Sequence, residues 1–305
     1  MKHLIVGPDG HGVTEYALGL ARATGADVIR EETFGNAALP EEPIHVTFTD
    51  HLFGDTADTL LARLDGRPFS VSLHDIPQPE EGAARYERRA GIYRKLADAA
   101  DVAVVNSEHE ASFFTADAPA SAAPAAAAPT VIRLPIPVID SPFAPEAGTV
   151  GVLGFLYPGK GHEDLIAALP HAKLRFLGAV SAGHEEWADA LVRSAEDVEL
   201  TGWLTDDELA REMGRIAVPV CPHRHFSASG SLMAWLGAGR TVLVTDSDYA
   251  REIDAWLPGR VTLVADGGWR DAVDRHVPEQ LDPPRYGWAE VAERWEETWR
   301  FAGLM

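Results

Sequence analysis

Short apolar runs recur along this chain with helical patterns between them, and this alternation constrains the fold more than any other feature. The runs form two series, separated by the proline-rich segment 135–148. Such alternation is typical of parallel βαβ units, in which helices cover both faces of a sheet. The first series lies at residues 4–6, 44–48, 69–73, 102–105 and 131–134, and the second at 150–155, 174–178, 198–202, 216–220, 241–245 and 261–265.

The chain has 305 residues, which is enough for two domains of common size. We therefore predict an α/β fold with an N-terminal Rossmann-like domain over residues 1–142 and a C-terminal one over 147–287. The proline-rich segment between the two series fits an extended linker. The alanine- and proline-rich tract 117–129 predicts a surface loop of the first domain.

Charge and cysteine content restrict the function. The formal net charge of −21 argues against nonspecific binding to nucleic acids or anionic membranes, whose phosphates would be repelled. The single cysteine, Cys221, ends an apolar run and excludes an intramolecular disulfide, as is usual in a reducing compartment. No apolar run approaches the ~20 residues of a membrane-spanning helix, and the start of the chain lacks a secretory layout. We expect a cytoplasmic protein without a transmembrane segment.

Two strand–loop–helix units in the second series could offer hydrogen-bond donors to a phosphate. The first, at 151–161, ends with Lys160-Gly161, which we expect to open an amphipathic helix. The second joins the strand at 216–220 through a basic loop to a turn at 229–231. Either unit alone would suit an ordinary α/β protein. Together they predict a diphosphate at one edge of the sheet, because backbone N–H groups and a lysine near a helix start favour anions.

The order of these motifs resembles the C-terminal half of retaining glycosyltransferases of the GT-B fold, family 4 type. The family pattern is roughly G-R-L-x-x-x-K-G, then a G-x-[LV] turn, then E-x7-E running into A-x-G-x-P-V. The N-terminal half is similar too, so that the resemblance covers essentially the whole chain. The matching segments are Gly154-Phe155-Leu156 with Lys160-Gly161, Gly202-Trp203-Leu204, 234–239 with Thr241-Val242, the loop 7–12, and the stretches 71–75, 103–110 and 131–138.

The resemblance implies two Rossmann-like domains facing across a cleft. It also implies retaining transfer of a sugar from a UDP- or GDP-sugar donor to a small-molecule or glycan acceptor. We expect neither a cofactor nor a metal, since His223 and His225 have no carboxylate partner at a ligand spacing. The loop 7–12 is not G-x-G-x-x-G, so the sequence gives little support to a nicotinamide cofactor.

The resemblance also assigns roles to particular residues. His74, at the end of a predicted strand, would orient the transferred sugar, while Lys160 and Arg224 would stabilise the charge of the departing diphosphate. These three residues are the predicted catalytic set. The predicted donor-binding residues are Gly154, Lys160, Gly202, Trp203, His223, Arg224, Ser229, Gly230 and Ser231, and the predicted acceptor or phosphate loop contains Gly10, His11, Gly12 and Thr14.

The chain departs from the family pattern at three positions. Phe155 stands in place of a diphosphate-binding arginine, and Phe226 and Ala234 replace the two glutamates. His223 and Arg224 could restore the lost positive charge. The sequence motif resembles that of a divergent branch of the family that lacks the glutamates. A non-catalytic sugar-nucleotide-binding or scaffold subunit is therefore an alternative, as is a GT-B sugar epimerase or phosphorylase.

The segment 288–305 is helical by its hydrophobic period, which places Trp288, Val291, Trp295 and Trp299 on one face. In GT-B chains such a last helix often returns to the first domain, and we expect the same here. The alternative is that the aromatic stripe seals the second domain.

Overall fold

The structure, a computed structural model, describes residues 1–54, 56–115, 128–224 and 227–305. Within them the chain forms two compact units, one of Met1–Pro135 with Tyr286–Met305 and one of Ile136–Arg285. The chain thus enters its second unit within the proline-rich segment, slightly before the boundary at 142 that was placed from the sequence. The surface loop predicted at 117–129 lies almost entirely outside the described residues.

The first unit contains a parallel sheet with helices packed along it. Its strands are β1 (Lys2–Val6), β2 (Asp27–Glu31), β3 (Ile44–Phe48), β4 (Phe69–Leu73), β5 (Val102–Val105) and β6 (Thr130–Val131). Its helices, up to residue 115, are α1 (Gly12–Thr24), α2 (Asp50–Phe53), α3 (Ala57–Leu64), a 3₁₀ turn (Pro79–Glu81), α4 (Ala83–Ala99) and α5 (Glu108–Thr115). The order of the described strands is β2-β1-β3-β4-β5-β6.

The second unit also contains a parallel sheet with helices packed along it, but its strand order differs. Its strands are β7 (Glu146–Leu153), β8 (Lys173–Leu177), β9 (Val198–Leu200), β10 (Ile216–Cys221), β11 (Val242–Thr245) and β12 (Val261–Val264). Its helices are α6 (His162–Ala168), α7 (Glu185–Arg193), α8 (Asp206–Arg215), α9 (Gly230–Gly237), α10 (Asp248–Trp256) and α11 (Trp269–Arg275). The described strands are all parallel, in the order β9-β8-β7-β10-β11-β12, which is the Rossmann order.

The strands follow the apolar runs because parallel strands inside a sheet are covered on both faces. Every residue of β3 and β4 is buried, and both strands have the bounds that the sequence predicts. The edge strand β2 was not predicted, because Asp27–Glu31 is polar and mostly exposed. The α/β fold class with two Rossmann-like domains is confirmed.

A last helix, α12 (Trp288–Phe301), completes the core of the first unit. Its buried residues Val291, Trp295 and Trp299 join a cluster with Tyr16 of α1. Gly19 of α1 makes this close packing possible, because a Cβ atom there would lie 2.2 Å from the Trp288 ring. No helix in the described part of the chain combines the length and apolar character needed to cross a membrane.

Candidate functional site

The second sheet reverses its strand order between β7 and β10, and ligands of open α/β sheets bind at such a switch point. The loops after these two strands touch: a Cβ atom on Gly161 would lie 1.7 Å from the carbonyl oxygen of Pro222. A Cβ atom on Gly154 would lie 2.5 Å from Lys160 Nζ and 3.8 Å from Ser231 Cβ. The structure therefore brings together the predicted donor-site residues Gly154, Lys160 and Ser231.

Lys160 is buried, although a lysine in such a turn is usually solvated. Its Nζ donates hydrogen bonds to the carbonyl oxygens of Leu153 at 3.2 Å and Phe155 at 3.1 Å. Burial lowers the pKa of Lys160 to about 8, and nearby Cys221 opposes this shift. No carboxylate of the described residues pairs with the ammonium. Since a buried charge needs compensation, an anionic ligand would stabilise the protonated form.

Lys160 also precedes helix α6 instead of opening it. The helix begins at His162 and has seven residues, and its N-cap, Gly161, has a positive φ of 85°. The expected phosphate site therefore depends on the lysine and the neighbouring loops, and the helix start contributes little to it. Sequence periodicity alone does not show this turn.

The turn at 229–231 opens α9. Ser229 Oγ accepts a hydrogen bond from the backbone N–H of Leu232 at 3.2 Å and lies 3.1 Å from Ser231 Oγ. The backbone N–H of Ser229 donates to the Tyr249 hydroxyl at 3.0 Å. Gly230 is exposed, with open space around a hypothetical Cβ atom. Ser229 thus caps the helix, while Ser231 lies closer to Gly154 and Lys160.

Arg224 is exposed and forms a two-point ion pair with Asp164 on α6. This pairing raises the pKa of Arg224 and neutralises part of its charge. His223 is partly buried, while His225 and Phe226 lie outside the described residues. The basic loop therefore presents less free charge than its sequence indicates.

An exposed aromatic surface lies at the carboxyl ends of β7 and β9. Trp203 is 66% exposed and Phe155 is 40% exposed, and their ring centroids are 6.1 Å apart. Gly202, just before Trp203, has a positive φ of 72°. The sequence identified Phe155 only as a missing cation. Its contact with Trp203 could not be inferred, since the two residues follow different strands.

The first sheet has its own switch point, between β1 and β3. His11 follows β1, and its ring stacks with that of His51, which follows β3, at a centroid distance of 6.2 Å. Burial lowers the pKa of His11, Asp75 opposes this shift and His51 adds to it. His51 was not singled out from the sequence, although a polar residue after a predicted interior strand is the signal that would have found it.

The other loop residues have local roles. The backbone N–H of Gly10 donates a hydrogen bond to Glu15 Oε1 at 3.0 Å. Thr14 is buried, and its hydroxyl donates to the Val6 carbonyl at 3.2 Å, which ties α1 to β1. A Cβ atom on Gly12 would meet nothing within 4 Å. Thr14 therefore supports the loop from inside, while Gly12 leaves space beside it.

His74 follows β4 and is 8% exposed. Its backbone N–H donates to the Phe48 carbonyl at 2.9 Å, and its carbonyl accepts from the Tyr93 hydroxyl at 2.7 Å. Burial lowers the pKa of His74 to about 4, which Asp75 opposes and His11 reinforces. The imidazole is therefore neutral at pH 7 and can act on a ligand only as a hydrogen-bonding group.

A buried ion pair supports this strand end. Arg89 Nε and Nη2 donate to Asp50 at 2.7 and 2.9 Å, and Nη2 also donates to the Asp75 carbonyl at 2.9 Å. Asp75 has a φ of 53°, a conformation that is uncommon for residues other than glycine. Arg89 and Asp50 thus hold the backbone next to His74, and neither was predicted from the sequence, because they lie on separate helices.

Comparison with solved structures identifies the architecture. HepE from Anabaena, in complex with UDP and glucose, is 15% identical with a TM-score of 0.70, covering 99% of this chain and all of HepE. Sucrose-phosphate synthase from Thermosynechococcus elongatus is 13% identical with a TM-score of 0.70, covering 99% of this chain and 100% of its own. The chain has the GT-B fold.

Further comparisons agree on the fold alone. The lipopolysaccharide outer core galactosyltransferase WaaB has a TM-score of 0.59 at 11% identity, with 99% of this chain and 100% of WaaB covered. No protein-family model and no curated protein sequence matches this GT-B chain. In its described residues, no group of three or more histidine, cysteine or carboxylate side chains could hold a metal ion.

Proposed function

We propose that this GT-B chain is a glycosyltransferase that moves a sugar from a UDP- or GDP-sugar to a small-molecule or glycan acceptor. Transfer would proceed with retention of configuration and without a metal. The observation that carries the proposal is Lys160, a buried ammonium with no carboxylate partner among the described residues, at the switch point of a Rossmann sheet. HepE, which shares the fold, was solved with UDP and with UDP-glucose.

In the proposed reaction the protein acts mainly on the leaving group. The bond between the anomeric carbon and the diphosphate oxygen breaks while the acceptor oxygen bonds to the same face of that carbon. The acceptor proton passes to the departing diphosphate. Lys160 stabilises the negative charge that develops there, because a fixed cation in a partly desolvated site is more effective than one in water.

Several other groups would complete the donor site. Ser231, beside Gly154 and Lys160, would donate a hydrogen bond to the diphosphate or the sugar. Arg224 would add a second positive charge, reduced by its ion pair with Asp164. The exposed ring of Trp203 would lie against the nucleotide base.

His74 would contact the transferred sugar as a neutral hydrogen-bonding group. A base is not required of it, since the leaving diphosphate receives the acceptor proton. The protein contribution here is orientation of the sugar, which lowers the barrier by holding the reacting atoms in line. His11 and Gly12 would lie near the acceptor, beside the other switch point.

A non-catalytic sugar-nucleotide-binding subunit is the second candidate. It is favoured by Phe226 and Ala234, which occupy the positions of the two glutamates in the family pattern. Such a protein would use the same lysine to bind the diphosphate, but it would not cleave the sugar–nucleotide bond and would form no free nucleotide.

The test is nucleotide release from a panel of UDP- and GDP-sugars, with and without glycan acceptors, by the wild type and His74→Ala. We expect turnover by the wild type and roughly tenfold or more loss in His74→Ala, with UDP affinity unchanged within a few-fold. His171→Ala, which changes an exposed histidine of the second unit, is the control. Tight binding without release from any donor would favour the non-catalytic subunit, and an equal loss of UDP affinity in His74→Ala would remove His74 from the sugar site.

A further inference from the structure

We propose that Trp295, acting through Tyr16 and Ser72, fixes the tautomer of His74 with its proton on Nδ1. Trp295 lies on α12 and is fully buried, and Tyr16 on α1 is 7% exposed. The proposed function assigns neither residue a contact with the substrate. Both are positioning residues, and they would make the C-terminal helix part of the apparatus that orients the sugar.

A continuous series of buried contacts connects the helix to the histidine. Trp295 Nε1 donates to the Tyr16 hydroxyl at 3.2 Å. The Tyr16 ring packs against the His74 ring at 4.6 Å between centroids, and its hydroxyl lies within reach of the side chains of Ser72 and Asn106. Ser72 Oγ lies 3.0 Å from His74 Nε2. These contacts lead from the indole of Trp295 to the imidazole of His74 through Tyr16 and Ser72.

The chemistry of the donor groups determines in which direction the hydrogen bonds between Trp295 and His74 point. An indole N–H can only donate, so the Tyr16 oxygen accepts from Trp295. In the proposed arrangement the Tyr16 proton goes to Ser72 and not to Asn106, which also lies within reach, and the Ser72 proton goes to His74 Nε2, which accepts it. A neutral imidazole carries a single N–H group, which must therefore be at Nδ1.

The backbone of His74 is held by residues other than Trp295, Tyr16 and Ser72. Its N–H is bonded to Phe48 and its carbonyl to Tyr93. A change at Trp295 or Tyr16 should therefore alter the ring of His74 without displacing the strand end. His74 Nδ1 makes no hydrogen bond within the described part of the chain, so that its proton remains available to a ligand.

The functional consequence rests on the proposed glycosyltransferase activity. With the proton on Nδ1, His74 would donate a hydrogen bond to a hydroxyl oxygen of the transferred sugar. In the other tautomer Nδ1 would be an acceptor and would require the sugar hydroxyl to turn. The tautomer itself can be observed without any activity.

The test uses ¹⁵N-labelled histidine and long-range ¹H–¹⁵N correlation spectra, with the His74 signals assigned by their loss in His74→Gln. The wild type should show the Nδ1–H tautomer at pH 7. Trp295→Phe removes the indole N–H that donates to Tyr16, and Tyr16→Phe removes the hydroxyl that accepts this hydrogen bond. Both should give a substantial population of Nε2–H. Trp299→Phe is the matched control, since that indole donates to Ser70 at 2.9 Å and not to Tyr16.

With an active donor, Trp295→Phe and Tyr16→Phe should lower kcat about three- to tenfold while UDP affinity stays within about twofold of the wild type. A wild-type Nε2–H tautomer, for example because Tyr16 donates to Asn106 instead, would overturn the proposal. So would an unchanged tautomer in both variants. If the variants alter the tautomer but the protein transfers no sugar, the proposed control of the His74 tautomer stands. Only the proposed function would then be refuted.

Discussion

The two units present their candidate groups in opposite ways. In the first, His74 is neutral, and its backbone and ring are held by Phe48, Tyr93 and Ser72. In the second, Lys160 is a buried cation that contacts two backbone carbonyls and the Tyr157 ring, and Arg224 is exposed and already paired. The first unit is built to hold a group in a fixed orientation, and the second holds a charge that lacks a counter-ion.

This difference separates positioning from charge compensation. A neutral polar group that the protein holds in place gains little from an anion but can define the geometry of a ligand. A desolvated ammonium without a carboxylate gains from any anion that reaches it. Perturbations of the first unit should therefore alter turnover and stability, and perturbations of the second should alter nucleotide affinity.

The largest expected effect is on the stability of the first unit. Trp299→Ala removes a fully buried ring and its hydrogen bond to Ser70, and it should destabilise this unit by about 3–5 kcal/mol. Phe301→Ala, on the same helix but 97% exposed, should change the stability by less than about 0.5 kcal/mol. Hydrogen exchange of β1 and β4 amides during denaturant titration would measure both. Equal effects of the two variants would contradict the role given to α12.

A comparable but smaller effect should appear in nucleotide affinity. Lys160→Met should weaken UDP or GDP binding by about 10- to 100-fold, the usual size of a charge-assisted hydrogen bond. Lys173→Met is the control, because that lysine is partly exposed and paired with Glu146 at 3.2 Å. Calorimetry would compare the two variants. If Lys160→Met binds as the wild type does, the diphosphate site is misplaced.

The pH dependence of binding should reveal the same lysine. Burial lowers the pKa of Lys160 to about 8, so the cation is largely present at pH 7.5 and is lost as the pH rises through 8. Between pH 7.5 and 9 the affinity for UDP should fall by about five- to tenfold, following the protonated fraction. In Lys160→Arg the dependence should disappear, since arginine stays charged. A flat wild-type profile would mean that the ammonium does not meet the phosphates.

The smallest effect is expected at Arg224. Because the ion pair with Asp164 is exposed, Arg224→Ala should weaken UDP binding by less than about threefold. Asp164→Asn should strengthen it by a similar factor, because the arginine is then released. Isothermal titration at low salt would detect both changes. A loss in Arg224→Ala as large as in Lys160→Met would place the arginine on the diphosphate and remove part of the contrast between the two units.

The interior strands were predictable because burial on both faces leaves a continuous apolar run. The strands β3, β4 and β5 begin and end where the sequence indicates. The edge strand β2 is held by pairing with β1 and carries polar side chains, so it leaves no such signal. Local composition thus misses a polar, mostly exposed edge strand such as β2, although it identifies the edge strands β9 and β12 of the second sheet.

The candidate site was predictable where the chain contributes neighbouring residues and not where it contributes distant ones. Gly154 and Lys160 belong to one loop, and their proximity follows from the motif. The ion pair of Arg224 with Asp164 and the contact of His74 with Tyr16 depend on tertiary packing, which spacing does not encode. The burial of Lys160 has the same origin, since its surroundings include Cys221 from another strand–helix unit.

The packing of Trp288 against Gly19 has a consequence for synthesis of the protein on the ribosome. The core around Tyr16 and Leu20 needs Val291, Trp295 and Trp299, which are translated after the whole second unit. The apolar surface of the first unit that α12 covers therefore stays exposed until this helix is made. The second unit is continuous in sequence and can fold before then. The half that emerges first is the half that is finished last, and in the interval its unfinished core is the part of the nascent chain most exposed to chaperones and to misassembly.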